Sequence, residues 1–272
     1  MNKIPISVIV SVKNEAKNLP SCLDKLKRFS QVIVVDSGST DDTITIATAM
    51  GAEVLQFNWN GKFPKKRNWA LQNANLLNEW ILFLDADEFV TDEFVNEIAI
   101  KTQDPNYNGY TIQFENYFMG RKLKYGYGFK KSALFKKSKG AYEKIEEDLW
   151  SHLDMEVHEH PIIEGKVGLI SAKVIHKDFR NLEHYIDKHN AYSTWEAQRY
   201  LQLKKSKNEL LSLNQKIKYG LLNTGLLPVV YFMGAYFLKL GFLDGKEGFY
   251  LARFKSHYFF QIQTKIDLIK NK

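Results

Sequence analysis

Two carboxylates, Asp85 and Asp87, stand two residues apart directly after the apolar run Trp80-Ile81-Leu82-Phe83-Leu84. Alternate side chains of an extended chain project to one side, so Asp85 and Asp87 can converge on a single ligand while Ala86 packs away. Such a pair at a strand's open end suits a hard divalent cation, Mg2+ or Mn2+, which takes oxygen ligands and shares them with substrate phosphates. Acids also collect at helix N-termini, but Asp92 and Glu93, just after the capping residue Thr91, already fill that role here.

A second apolar run ends in Val34-Val35-Asp36-Ser37-Gly38-Ser39-Thr40-Asp41-Asp42. Gly38 permits a tight turn, Ser39 or Thr40 caps the next helix, and Asp41 and Asp42 complement its dipole. Asp36 precedes the turn, at the strand's carboxyl edge, where a carboxylate can accept hydrogen bonds from a base or ribose. The first strand likewise ends in polar residues, Lys13, Asn14 and Glu15. No GxGxxG follows a strand and no GxxxxGK[ST] occurs, which argues against a dinucleotide dehydrogenase and a P-loop enzyme.

The elements that must hold these groups alternate in type. Strands are expected at 6–12, 31–36, 53–57 and 80–85, with helices at 19–29, 41–50, 66–75 and 92–101. This βαβ order packs as a parallel sheet with helices on both faces, and ligands bind beyond the carboxyl ends of its strands. From 108 to 139 the aromatic, glycine-rich and basic pattern predicts antiparallel strands completing the sheet. A long amphipathic helix is expected over 181–203, followed by an apolar, aromatic tail.

The 272 residues are 44% hydrophobic, enough for a full core, and carry a formal charge of +7. The positive charge gathers at Lys62, Lys65, Lys66 and Arg67 and again between Arg121 and Lys139, and points to anionic partners or to a solvated basic face. Cys22 is the single cysteine, which excludes a disulfide framework and fits a reducing compartment. The first residues lead straight into a strand-like run and not into the apolar core of a signal peptide, so the expected location is cytoplasmic. In the tail, 226–243 approaches spanning length but is interrupted by Pro228, Gly234, Lys239 and Gly241. Its interleaved aromatics and lysines suit helices lying at an anionic membrane surface, with a packed helical cap or a dimer contact as the alternative.

Three motifs stand in order on successive strands: SVIVSVKNEAKNLPSCL, QVIVVDSGSTDDT and WILFLDADEFV. Together they resemble the family 2 glycosyltransferases of the GT-A fold, closely over residues 5–100 and more loosely beyond. VHEHPIIEG and VIHKDF, with the aromatic-basic tail, look most like the bacterial branch that builds lipopolysaccharide core or related envelope glycans. The resemblance implies a catalytic domain over 1–180, with a nucleotide-sugar half at 1–104 and an acceptor half at 105–180, and a helical region over 181–272.

It also implies roles for residues. Asp36 would contact the nucleoside base, Glu15 would line the same pocket, Asp85 would approach the ribose, and Asp87 would bind the metal on the diphosphate. Lys65, Lys66 and Arg67, in KKRNWAL, fall where relatives face the donor, unless they are only a solvated helix start. Glu159 is the first candidate for general base, with Asp148 and Glu147 as rivals in an acidic run that otherwise reads as a solvated helix face. His176 is a further candidate metal ligand, alone or with His158 and His160.

The implied reaction is an inverting, single-displacement transfer from a nucleotide sugar, with uridine diphosphate the expected carrier, to a hydroxyl of a glycan or glycolipid acceptor. The alternatives are a polyprenyl-phosphate glycosyltransferase, a nucleotidyltransferase, or a non-catalytic basic module binding membrane or nucleic acid. Nucleic acid is not the expected partner, because binding alone would not call for the acidic pair. The oligomeric state is not encoded in any readable motif.

Overall fold

The computed structural model describes residues 3–145, 147, 150–154, 160–177, 181–205 and 213–271. They form two compact units, one of 1–115 and 129–177 and one of 116–128 and 178–272. A short segment from the middle of the chain, 116–128, belongs to the second unit.

In the first unit the elements are β1 (Ile4–Val12), α1 (Leu19–Lys25), β2 (Phe29–Asp36), α2 (Thr43–Ala49), β3 (Glu53–Gln56), α3 (Lys66–Asn73), β4 (Trp80–Asp85), β5 (Glu88–Phe89) and α4 (Asp92–Lys101). Next, β6 (Gly109–Phe118) runs on into the hairpin that ends with β7 (Arg121–Lys122). The chain then returns as β8 (Lys130–Lys136), β9 (Gly140–Tyr142), β10 (Pro161–Ile163) and β11 (Val167–His176). The main sheet runs β3-β2-β1-β4-β8-β6-β11-β5. Its first four strands are parallel, whereas β8 pairs antiparallel with both β4 and β6. Strands β9 and β10 form a separate antiparallel pair.

Strand β1 is buried at eight of its nine positions, on both sides of the pleat, so the sheet is covered on both faces at its centre. Leu82, Phe83 and Leu84 on β4 are buried as fully, and each such side chain stabilises the fold by about 1.5–3 kcal/mol. The largest departure of a helix boundary from expectation is at α1. Helix α1 stops at Lys25, because the buried Phe29 is already the first residue of β2.

Helix α4 begins as the sequence predicts, with the Thr91 hydroxyl accepting from the Phe94 N–H and Asp92 and Glu93 in the first turn. Its Glu97 side chain reaches β11 and accepts from the Ser171 and Ala172 N–H groups. Burial opposes the charge on Glu97, but those two donors and Lys101 outweigh it and hold the carboxyl below its ordinary range.

The second unit contains α5 (Leu182–Lys205), α6 (Leu213–Asn223), α7 (Leu227–Met233) and α8 (Gly245–Lys270), with a π-helical turn at Gly234–Leu238 and a 3-10 turn at Gly241–Asp244. Its core is Ala197, Tyr200, Leu222, Leu227, Tyr258, Ile262 and Ile266. Gly248 lets α8 approach the 3-10 turn, since a Cβ there would lie 2.1 Å from the Gly241 carbonyl oxygen. Among the described residues no single helix is long and apolar enough to cross a membrane.

Candidate active site

Register, and not sequence proximity, assembles the candidate site. Val12 is the partner of Asp36 across β1 and β2, and Ser11 is the partner of Asp85 across β1 and β4. The carboxyl ends of three parallel strands therefore finish within one residue of each other, with Asp36 and Asp85 two strand spacings apart, about 10 Å. Asp87 lies in the two-residue turn between β4 and β5 and is buried.

Asp36 is fully buried and organises its own turn. It accepts from the N–H of Gly38 at 2.9 Å and of Ser39 at 3.0 Å, and from the Ser39 hydroxyl. The loop after β1 is laced to this turn. Asn14 donates its N–H to the Ser39 hydroxyl and accepts from the Thr40 N–H, both at 2.8 Å, while Ala16 donates to Asp41 at 3.1 Å. Glu15 is buried in that lacing, with its N–H on the Thr43 hydroxyl and its carboxylate accepting from Asn18 at 2.8 Å.

Lys65 and Lys66 are buried, which overturns the reading of this stretch as a solvated helix start. Lys65 pairs with Glu147, itself buried, so the acidic run is not a solvated helix face at that residue either. Lys66 lies 3.6 Å from Asp154 and 3.4 Å from the Val12 carbonyl oxygen, and the first turn of α3 is capped by its N–H donating to the Asp154 carbonyl. Burial holds the Lys66 ammonium below the ordinary lysine range, although Asp154 and Asp85 pull it back up. Arg67 donates to Asp85 at 3.2 Å and lies over the Tyr142 ring, 5.3 Å from its centre. Asn68 fixes Tyr142 by exchanging two hydrogen bonds of 3.0 Å with its backbone.

Asp85 meets a second cation in Lys131, at 3.5 Å. The antiparallel register Trp80↔Lys136, Ile81↔Phe135, Leu82↔Leu134, continued by three residues, brings Asp85 opposite Lys131. Lys131 also grips Glu88 at 2.6 Å, and Glu88 accepts the Asp85 N–H at 3.0 Å. Burial pushes the Glu88 carboxyl up to about 7, with Lys131 pulling the other way. His176 on β11 lies 3.8 Å from Asp87, and the antiparallel pairing of His176 with Glu88 brings them together.

The structure thus gathers Asp85, Asp87, Arg67, Lys66 and His176 around one sheet edge, with Asp36 and Glu15 in the adjoining turns. Glu159 and Asp148 lie outside the described residues, as does His158. Lys131, Glu88, Tyr142 and Asp154 were not singled out by sequence reasoning. Lys131 stands in the basic cluster between Arg121 and Lys139, where nothing local separates it from its neighbours.

The donor set fits a hard cation that brings ligands of its own. Two carboxylates and an imidazole lie at this edge, yet among the described residues no three groups of metal-ligating type cluster tightly enough to hold an ion unaided. Mg2+ commonly binds through one or two carboxylates with phosphate and water completing the shell.

Comparison with known proteins identifies the family and the fold. The model of Glycosyl transferase family 2 matches residues 7–151, more than half of the chain. An uncharacterized glycosyltransferase of Rickettsia felis is 28% identical over 90% of this chain and 83% of its own length. The lipopolysaccharide core biosynthesis glycosyltransferase LpsC of Rhizobium meliloti is 26% identical over 97% of this chain and 92% of its own. In three dimensions the chain is similar to the mannosyltransferase PcManGT of Pyrobaculum calidifontis, solved with GDP-Man and Mn2+. The TM-score is 0.54 at 16% identity, covering 98% of this chain and 88% of that one, a likeness of fold. The expected mixed α/β GT-A architecture is the one observed. The chain belongs to glycosyl transferase family 2.

Proposed function

We propose that the chain transfers a sugar from a nucleoside-diphosphate sugar, uridine diphosphate being the expected carrier, to a hydroxyl of a membrane-linked envelope glycan. The carrying observation is the strand register that ends β1, β2 and β4 together, surrounds Asp85 with Arg67, Lys66 and Lys131, and sets Asp87 beside His176. A single parallel-sheet edge with paired carboxylates and cations is suited to a diphosphate leaving group, whose developing negative charge must be neutralised. PcManGT, of the same fold, was solved with a nucleotide sugar and Mn2+, and LpsC acts in lipopolysaccharide core biosynthesis, which supports the donor and acceptor classes.

Asp87 and Asp85 would hold Mg2+ or Mn2+, with His176 a further candidate at 3.8 Å from Asp87. Bound there, the ion would supply Lewis-acid neutralisation of the diphosphate. The chain's own groups do the positioning. Arg67 and Lys131 fix the Asp85 carboxylate from two sides, and Lys131 with Glu88 fixes the backbone on which it stands. The lacing of Asn14, Glu15 and Ala16 to the turn after β2 gives the nucleoside end a rigid floor. Glu159, or Asp148 in its place, would remove the proton from the acceptor hydroxyl, giving inversion at the anomeric carbon in one displacement. The single cysteine and the basic, aromatic tail support a site of action at the cytoplasmic face of a membrane, with the protein bound peripherally.

The test is product analysis with UDP-sugars, GDP-sugars and a lipid-linked acceptor. Release of nucleoside diphosphate, arrested by excess chelator and reduced on the order of 10²–10³ by Asp87→Asn, is expected. Release of pyrophosphate, or full activity in chelator, would contradict the proposal.

A further inference from the structure

The corner between α7 and α8 exposes a run of large apolar side chains. Leu226, Val229, Val230, Met233 and Phe237 follow helical spacing on one face, and the chain then turns through Leu238, Leu240, Phe242 and Leu243, all of them exposed. Leu238, at the tip, keeps 82% of its surface open. The opposite face is committed to packing through Leu227, Gly234, Ala235, Gly241 and Gly248. Core-forming residues therefore face inward as usual, and a second set of similar size faces out.

The charges beside this corner are sorted by sign. Both acids near it are buried and occupied: Asp244 accepts from the backbone N–H groups of Lys124 and Tyr125, and Glu247 pairs with Arg121 at 3.0 Å and lies 4.0 Å from Lys246. Lys122, Lys124, Lys239, Lys246 and Arg253 remain exposed. The hairpin 121–128 adds Tyr125 and Tyr127, half-exposed, and is tied to the corner by the Gly126 N–H on the Lys239 carbonyl and by Tyr127 against Tyr231 at 5.1 Å. An apolar tip ringed by tyrosines and exposed lysines matches the chemistry of an anionic headgroup layer over hydrocarbon.

The geometry limits how deep this goes. The limbs Leu227–Leu238 and Gly241–Lys270 meet at a bend of 71°. The first limb is about 18 Å long, short of a hydrocarbon core of about 30 Å. The second carries Lys246, Arg253, Lys255, Lys265 and Asp267 along its length and cannot follow it through. We infer that the corner 226–243 enters one leaflet of an anionic bilayer as a wedge, with Lys124, Lys239 and Lys246 on the headgroups. This deepens the membrane partner of the proposed function and names the segment that makes the contact.

The test is flotation of the full chain with phosphatidylcholine vesicles, with and without phosphatidylglycerol. Flotation only with the anionic vesicles is expected, weakened by salt and by roughly fivefold for each of Lys239→Gln and Lys246→Gln. Leu238→Glu with Phe242→Glu should abolish it while circular dichroism and melting stay unchanged, because both side chains are exposed. A Leu238→Trp variant should be quenched by brominated lipid, separating insertion from adsorption. The inference is overturned if the chain does not float, if the double glutamate variant floats like the parent, if the tryptophan is not quenched, or if the corner proves to join two copies in solution. Metal-dependent donor hydrolysis in vesicle-free buffer is measured on the same variants. Its loss in the parent would overturn the proposed function alone, and its retention in the variants would show that the membrane contact is separate.

Discussion

Lys65 and Lys66 keep 4% and 3% of their surface in contact with solvent, while Leu238 keeps 82%. The sheet unit hides charge and the helical unit displays hydrocarbon, each the reverse of what these residue types ordinarily do. At the sheet edge the inversion is compensated within the unit: Lys65 pairs with Glu147, Lys66 with Asp154, and Lys131 with Glu88 and Asp85. At the helical corner the described structure shows no compensation, which is why a partner has to be inferred there. Buried, paired charge specifies a geometry at a cost in stability, whereas exposed hydrocarbon costs the monomer little and is used only when something covers it.

The comparison can be broken most forcefully at the buried pair. Lys65→Met leaves Glu147 buried without its cation and should cost about 3–5 kcal/mol in urea unfolding, while pairing it with Glu147→Met should restore most of the loss. Parental stability in the single variant would mean that the pair is solvated. A matched set of leucines sharpens the contrast next. Leu82→Ala, on the buried central strand, should lose about 2–5 kcal/mol, against a change within about 0.5 kcal/mol for Leu238→Glu. Similar losses at the two sites would place Leu238 in a core.

The smallest effect is at Glu97, which ties α4 to β11 in the sheet unit. Its carboxyl lies below the ordinary range when folded, so its contribution is complete above the unfolded value of about 4.3 and is lost as pH falls through the folded one. Stability curves of parent and Glu97→Gln should therefore differ near neutrality and converge in acid. A constant gap down to the lowest pH would refute the linkage.

The four parallel strands and the position of Asp85 and Asp87 were legible because unbroken apolar runs of strand length, each ending in polar residues, have few other solutions in a βαβ chain. The long helix α5 was legible from its period. Lys131 was not, because its meeting with Asp85 depends on an antiparallel register across 46 residues. Nor were the roles of Lys65 and Lys66, whose partners Glu147 and Asp154 come from a distant segment that local charge patterning cannot see. Asp36 shows the opposite limit. The tight turn at Gly38 is present, at φ 77°, but α2 starts only at Thr43 behind Asp42, so neither Ser39 nor Thr40 caps it, and the carboxylate assigned to a ligand is already engaged by the Gly38 and Ser39 donors. The corner's exposure depends on which face α7 buries, and an interleaved aromatic pattern does not determine that.

The most direct test of the central claim is calorimetric titration of UDP, and of GDP in parallel, into the parent and Asp87→Asn proteins with and without Mn2+. The account predicts that one nucleotide binds the parent strongly only when Mn2+ is present, and that Asp87→Asn removes the metal-dependent part while the protein stays folded. Binding indifferent to both Mn2+ and Asp87 would show that this sheet edge does not hold a cation-bound diphosphate.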